Sequence, residues 1–217
     1  MKGNTGVDEL HGRRAAVAAL GHELRVLVDA AVRTGAPDET LRRAAEEARL
    51  LAERLSVRCR TRAELPSVDR PWTGPRMYSP VSGAGSPVAP PVRMEAVDHG
   101  FVGTCTLGLA HEGPPGYVHG GVSAMLLDEL MGRACTSVGP SAMTVGLELR
   151  YRRPVPLETP LRLVAVVTGV EGRKRIVHGS IAASAEPDVA LVEAEGTFLV
   201  LRPDQESALF AGVRPVE

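Results

Sequence analysis

Residues 117–130 have the sequence YVHGGVSAMLLDEL, which predicts a helix that begins at a pair of glycines and carries one carboxylate on an apolar face. Glycines at a helix start allow a ligand to approach the backbone, and the N–H groups of the first turn have no partners within the helix. Because these groups lie at the positive end of the helix dipole, they can stabilise an oxyanion without any side chain. We therefore single out Gly120 as a candidate oxyanion donor and Asp128 as a candidate general base, with an ordinary solvated carboxylate as the alternative for Asp128.

Gly120 and Asp128 are too far apart for one helix to present both to the same reacting carbon. They are eight residues apart, and at about 1.5 Å of rise per residue roughly 12 Å separates them. If both act on one substrate, they come from two subunits whose helices run antiparallel across a two-fold axis. The sequence therefore predicts a homodimer with two composite sites.

The segments on either side of this helix predict an antiparallel sheet. One strand is expected before the helix, over residues 101–110. Strands rich in Val, Leu, Ile and Thr are expected after it, separated by Pro and Gly turns, at about 142–153, 160–170, 174–185 and 190–201. A single helix packed on a meander of strands belongs to the α+β class.

Upstream of the sheet the pattern changes twice. Residues 1–64 predict a helical hairpin, with two apolar stripes at helical spacing and a break at Gly35 and Pro37. We expect the stripes to pack on their own domain or on a neighbouring subunit, with docking of a dedicated partner as the alternative. Residues 65–92 are rich in Pro and Gly and predict an extended connector along the surface. The main domain is expected over 93–203, followed by a C-terminal tail over 204–217.

Composition excludes several classes of function. The 217 residues include 25 Lys and Arg against 26 Asp and Glu, so the formal net charge of −1 gives no footprint for nucleic acid or an anionic membrane. Neither a leader peptide nor a membrane span is expected. The three cysteines form no CxxC pair and the histidines have no metal-ligand spacing, so we expect no metal site and a cytoplasmic protein.

At this point the residues resemble a known family. The His-Gly-Gly sequence at 119–121 is followed by Asp128 nine residues after the His, and by Thr144 sixteen residues later. EGPPGY at 112–117, LRYRRPVP at 149–156 and GRK at 172–174 extend the likeness over about 72–201. Together these segments resemble the hotdog-fold acyl-CoA thioesterases of the phenylacetate-degradation type, and most of all the group of thioesterase superfamily members four and five.

The resemblance implies a role for each matching residue. Asp128 matches the catalytic carboxylate, as base or nucleophile, and Gly120 matches the N–H donor to the thioester oxygen. Thr144 matches a hydroxyl that assists the carboxylate, and His119 matches a motif residue that we expect to orient the loop. The family implies a hotdog fold, acyl-CoA as substrate, no metal or organic cofactor, and dimers often paired into tetramers. Some relatives place an Asn before the motif where this chain has 112–118, so carbonyl polarisation would rest more on backbone N–H groups.

The phosphates of CoA require cations, for which Arg is well suited. Alternation along the strand that contains Thr144 places Arg150 and Arg152 on the same face as Thr144. At ~3.3 Å per residue, Arg150 lies about 20 Å from Thr144. Arg173 and Lys174 form a second basic cluster. We expect these four residues and Gly121 to contact the CoA moiety, with ordinary solvated surface charges as the alternative.

These observations lead to one functional hypothesis and two rivals. The hypothesis is hydrolysis of an acyl-CoA thioester by a cofactor-independent thioesterase with a composite site. The first rival is a hydratase or dehydratase of enoyl thioesters, which would use His119 with Asp128. The second is a non-catalytic acyl-CoA sensor whose N-terminal hairpin carries the output. Glu129, turned about 100° from Asp128 on the helix, is expected in a salt bridge rather than as the base.

Overall fold

The computed structural model describes residues 5–69 and 76–215. Four α-helices are present in these ranges: α1 (Thr5–Arg33), α2 (Asp38–Leu55), α3 (Gly120–Ala134) and α4 (Pro203–Leu209). The strands are β1 (Glu64–Leu65), β2 (Arg93–Val97), β3 (Gly100–Thr106), β4 (Met143–Tyr151), β5 (Pro160–Glu171), β6 (Lys174–Ala183), β7 (Ala190–Leu199) and β8 (Arg214–Pro215). Short 3-10 turns lie at Leu109–His111 and Cys135–Ser137.

Six strands form one antiparallel sheet in the order β2-β3-β5-β6-β7-β4, and α3 packs across one face of it. Alternate residues of the strands point toward α3, which is why apolar residues in β5, β6 and β7 are buried at every second position. The largest fully buried side chains of this core include Leu126, Leu127, Leu130, Met131, Leu163 and Phe198. A helix wrapped by an antiparallel sheet confirms the predicted α+β class and hotdog arrangement.

The strand predicted before α3 differs from the one observed. β3 ends at Thr106, and the residues beyond it form a turn and the 3-10 helix Leu109–His111. In addition, β2 pairs with β3 through a tight turn in which His99 adopts φ +58°. The strand β2 (RMEAV) is too short to show a clear period, and only Met94 of its five residues is half-buried because β2 is an edge strand. Periodicity therefore could not reveal it.

The Pro-rich connector is more buried than a surface segment. Pro71, Gly74 and Pro75 lie outside the described residues, but the remainder places several side chains in the interior: Val68, Met77, Ser79, Val81, Ser86 and Ala89. Backbone bonds close compact turns within it, such as Gly85 N–H to the Met77 carbonyl at 2.8 Å. The prediction of an extended surface connector was wrong, because turns allow Pro-rich chain to fold back on itself.

The two N-terminal helices behave differently. On α1, Val17 is buried against the connector, and Arg14 and Arg25 donate hydrogen bonds of 2.8 and 3.0 Å to the carbonyls of Val68 and Ala84. By contrast, α2 has no buried residue, so its apolar stripe remains exposed within the described chain. Packing on the own domain is therefore observed for α1, and packing of α2 on a neighbouring subunit remains a prediction.

The C-terminal segment is structured over most of its length. It contains α4, and β8 pairs in parallel with β1. Among the described residues, no helix is long and apolar enough to cross a membrane. The domain boundaries at 64/65, 92/93 and 203/204 remain predictions.

Candidate active site

The structure brings Asp128 and Thr144 together at the sheet–helix interface. Asp128 lies half-buried in the middle of α3, and Thr144 lies near the start of β4, the edge strand of the sheet. The Thr144 hydroxyl donates a hydrogen bond of 2.8 Å from Oγ1 to Oδ1 of Asp128. This bond orients the carboxylate and leaves Oδ2 available to accept a proton.

At the other end of the site, His119 caps the start of α3. Its Nδ1 accepts a hydrogen bond of 3.0 Å from the Gly121 N–H, and its carbonyl accepts one of 2.9 Å from the Val122 N–H. The Gly120 N–H makes no hydrogen bond within the described part of the chain. Of these three first-turn donors, only that of Gly120 therefore remains available for a ligand. Gly121, expected to contact CoA, already uses its N–H on His119.

Tyr151, the last residue of β4, contacts the same helix start. Its hydroxyl donates a hydrogen bond of 3.0 Å to the Gly120 carbonyl. In the sequence this tyrosine lies within a segment that resembles the family, and no role was predicted for it. The available signal was its position seven residues after Thr144 on the strand that borders the site.

Comparisons with known proteins support the same fold and identify the family. Residues 115–186 match the family model of the Thioesterase superfamily. The crystal structure of a thioesterase superfamily protein is 36% identical, covers 85% of this chain and 90% of its own, and superimposes with a TM-score of 0.73. This chain belongs to the thioesterase superfamily.

Curated relatives in this superfamily are similar over a shorter region. Acyl-coenzyme A thioesterase THEM4 of Mus musculus is 35% identical over 98 residues, which are 45% of this chain and 42% of that protein. Acyl-coenzyme A thioesterase THEM5 of Homo sapiens is 28% identical over 96 residues, 44% of this chain and 38% of that protein. The matched part of the chain thus spans less than half the length of these relatives.

The basic residues predicted to bind CoA are engaged elsewhere. Arg150 pairs with Glu148 at 3.0 Å and Arg152 with Glu193 at 2.8 Å. Lys174 lies 3.8 Å from a carboxylate oxygen of Glu171. The fourth, Arg173, donates hydrogen bonds to the Val200 carbonyl and to the side chain of Gln205.

The assignment of Arg150 to the same face as Thr144 was wrong. A β-bulge between Thr144 and Gly146 inserts Val145 as an extra residue opposite β7. Beyond the bulge, Leu147 and Leu149 face α3 with Thr144, and Arg150 points to the opposite face of the sheet. A single inserted residue therefore reverses every later position of the strand.

One cation near the site makes no ion pair or side-chain hydrogen bond among the described residues. Arg153 lies two residues after Tyr151 and lines a shallow depression of about 370 Å³ beside the chain segment that precedes α3. The other lining residues are Tyr117, Pro154, Pro156, Ala183, Glu186, Val189 and Leu191. A backbone bridge between Tyr117 and Pro156 fixes one wall of this depression. The sequence prediction missed Arg153.

The remaining reactive side chains near α3 are bound or buried. Glu129 accepts hydrogen bonds of 2.7 Å from the Ser82 hydroxyl and 2.9 Å from Arg133 Nε, which confirms its expected salt bridge. Burial raises the pKa of the Cys105 and Cys135 thiols to about 11, so neither is a ready nucleophile. Within the described ranges, no cluster of His, Cys, Asp and Glu has the arrangement of a metal site.

Proposed function

We propose that this chain hydrolyses acyl-CoA thioesters to the free acid and CoA. The observation that carries the proposal is the layout of α3, with a hydroxyl-oriented carboxylate at Asp128 and an unpartnered backbone donor at Gly120. Both are parts that acyl transfer to water requires, namely a base or nucleophile and a donor to the oxyanion. The names of the relatives, acyl-coenzyme A thioesterases, support the choice of substrate.

The proposed reaction uses these groups in a defined order. The Gly120 N–H binds the thioester oxygen and stabilises the negative charge that develops there. As a base, Asp128 takes a proton from water, the hydroxide adds to the carbonyl carbon, and the C–S bond breaks as CoA leaves as a thiolate that regains a proton. As a nucleophile, Asp128 instead adds to the carbonyl carbon, the C–S bond breaks as CoA leaves as a thiolate that regains a proton, and water hydrolyses the resulting anhydride to the free acid and Asp128. In both routes Thr144 fixes the orientation of the Asp128 carboxylate.

The proposed site combines two subunits. Roughly 12 Å separates Gly120 from Asp128 along one helix, at about 1.5 Å per residue. The edge strand β4 has one unpaired side, and its apolar side chains Met143, Val145 and Tyr151 are exposed. Antiparallel pairing of β4 with its copy across a two-fold axis would cover this edge.

Such pairing would also complete the site. Within one chain, Thr144 near the start of β4 bonds to Asp128, and Tyr151 at its end bonds to Gly120. A two-fold axis near the middle of the strand sets Thr144 of one subunit beside Tyr151 of the other. Asp128 then meets the Gly120 of the partner. We expect a mass in solution of at least twice the 22.9 kDa chain, and an active monomer would contradict this arrangement.

For the CoA phosphates we propose Arg153 in place of the four predicted cations. Its guanidinium makes no ion pair in the described chain, and the lining of its depression includes the ring of Tyr117, on which an adenine could stack. We also propose a cytoplasmic location and a role in lipid metabolism. Free Cys59, Cys105 and Cys135 support a reducing compartment.

The experiment that tests the function measures release of free thiol from short, long and aromatic acyl-CoAs. Asp128→Asn should abolish most turnover and leave binding of the substrate largely intact. Glu129→Gln is the matched control, because it changes the neighbouring carboxylate on the same helix and should retain turnover. Water addition to an enoyl thioester without thiol release would identify a hydratase instead, and saturable binding without any turnover would identify a sensor.

A further inference from the structure

The peptide unit between Gly120 and Gly121 is held from both sides by side chains. Its carbonyl oxygen accepts a hydrogen bond of 3.0 Å from the Tyr151 hydroxyl. Its N–H donates a hydrogen bond of 3.0 Å to Nδ1 of His119. A peptide unit flanked by two glycines has more conformational freedom than any other, so two bonds on opposite sides restrict a segment that the sequence alone leaves loose.

The Tyr151 ring restricts the same unit by contact. A Cβ atom added to Gly120 would lie 3.3 Å from three atoms of this ring, closer than an ordinary van der Waals contact. The ring therefore occupies the space beside the Gly120 Cα, and a larger residue at this position would have to displace the ring by a few tenths of an ångström. The ring reaches the helix start although Tyr151 is half-exposed, because it ends the strand that borders α3.

We propose that Tyr151 is a positioning residue that holds the Gly120 N–H in the direction required to bind the thioester oxygen. This inference rests on the proposed function. The Gly120 N–H belongs to the peptide unit that immediately precedes the held one, and only the φ and ψ angles of Gly120 separate the two. Because Gly120 is the first residue of α3 and these two angles are helical, fixing the second unit also fixes the aim of the first. An oxyanion donor contributes most when it is oriented before the substrate arrives.

A third bond anchors the next peptide unit upstream, between Val118 and His119, independently of Tyr151. The His119 N–H donates a hydrogen bond of 2.9 Å to the His111 carbonyl. Hydrogen bonds thus hold the helix start at His119 and at the peptide unit between the two glycines. Tyr151 supplies the one that comes from the sheet. In this way one strand serves both halves of the chemistry, since Thr144 of β4 orients Asp128 and Tyr151 of β4 orients Gly120.

The test removes the hydroxyl of Tyr151 and, as a control, the hydroxyl of a tyrosine outside the site. Tyr151→Phe keeps the ring and deletes the hydrogen bond, so kcat for acyl-CoA hydrolysis should fall about tenfold while KM changes little. Tyr78→Phe is the matched control, because Tyr78 is also half-exposed but lies outside the site. It should leave kcat and KM unchanged. The thermal midpoint of each variant reports whether a loss reflects unfolding instead.

A double-mutant cycle provides the readout that a merely structural role would not give. Because Tyr151 and His119 hold the same peptide unit, freeing either side already releases it. Tyr151→Phe combined with His119→Ala should therefore lower kcat by little more than the larger single effect. Fully multiplicative losses, or an unchanged kcat in Tyr151→Phe, would overturn the inference. An inactive wild-type chain would overturn the proposed function and this inference together. An active wild-type chain with either of the two results above would overturn this inference alone.

Discussion

Thr144 and Asp128 are joined by a hydrogen bond of 2.8 Å across the interface of β4 and α3, although sixteen residues separate them in the chain. The hydroxyl donates to Oδ1 and fixes the rotation of the carboxylate about the side-chain axis. This relationship distinguishes Asp128 from the adjacent Glu129, which Arg133 and Ser82 bind instead. The two carboxylates therefore have separate tasks.

Removing the Thr144 hydroxyl should impair turnover more than binding. Thr144→Val keeps the size of the side chain and loses the bond to Asp128, and a hydrogen bond to a charged group is worth about 1.5–3 kcal/mol, so kcat should fall about 10- to 100-fold. Steady-state kinetics of thiol release checks this. Thr144→Ser retains the donor and should keep most of the activity. Equal kinetics in the Val and Ser variants would refute a role for the hydroxyl.

Two glycines on α1 should respond in opposite directions to the same substitution. A Cβ at Gly21 would lie 2.5 Å from the Ala84 carbonyl oxygen, so Gly21→Ala must displace the helix from the connector and should destabilise the protein by about 1–3 kcal/mol. At Gly12 nothing lies within 4 Å, so Gly12→Ala should stabilise by about 0.5–1 kcal/mol through helix propensity. Urea unfolding measures both. A common sign would show that α1 does not dock as described.

The free energy of unfolding should decrease as the pH falls through the ordinary pKa of histidine. Burial lowers the pKa of His111, against opposing effects of the Gly108 backbone and the Asp29 charge, and its Nδ1 is buried without a partner in the described chain. The unfolded chain therefore binds a proton at higher pH than the folded one, and the free energy of unfolding decreases as pH falls through about 6.5.

His111→Gln should flatten this dependence between about pH 7 and 5, because Gln does not titrate. His11→Gln, at an exposed position of α1, is the control and should leave the dependence as in the wild type. Thermal or urea unfolding across the pH range gives the slopes. The same slope in the His111 variant and the wild type would show that His111 does not contribute.

The central part of the fold could be predicted because its patterns are local. The helix over 120–134 begins at a Gly pair and has a continuous apolar face, and β5, β6 and β7 alternate between buried and exposed positions. The edge strand β2 lacks that alternation, since water solvates most of its residues. The burial of the connector depends on Gly21 and Gly85, which allow close approach only once α1 and the turns are folded. No local pattern reports such a contact.

Within the site, residues near the helix were easier to predict than cations on the strands. The Asp128 and Gly120 candidates follow from one helix and its N-terminus, which the sequence displays directly. The assignment of Arg150 failed because the bulge at Val145 changes the strand register, and the sequence signal for it, the glycine at position 146 inside the strand, was not used. The roles proposed for Arg153 and Tyr151 were not predicted, because they depend on loops and helix ends that meet only in three dimensions.

The most direct test of the composite site mixes two inactive variants. Asp128→Asn removes the carboxylate. Gly120→Pro removes the N–H donor at the first position of α3, where proline is tolerated, and the exposed Tyr151 ring has to shift by a few tenths of an ångström to admit the new side chain. The two proteins are unfolded, mixed in equal amounts and refolded, and thiol release is measured beside each variant refolded alone. If each site takes Asp128 from one subunit and Gly120 from the other, half of the dimers are mixed and carry one intact site, so about a quarter of wild-type activity should return. If the mixture, with its dimeric mass verified, stays as inactive as the separate variants, the composite site is contradicted.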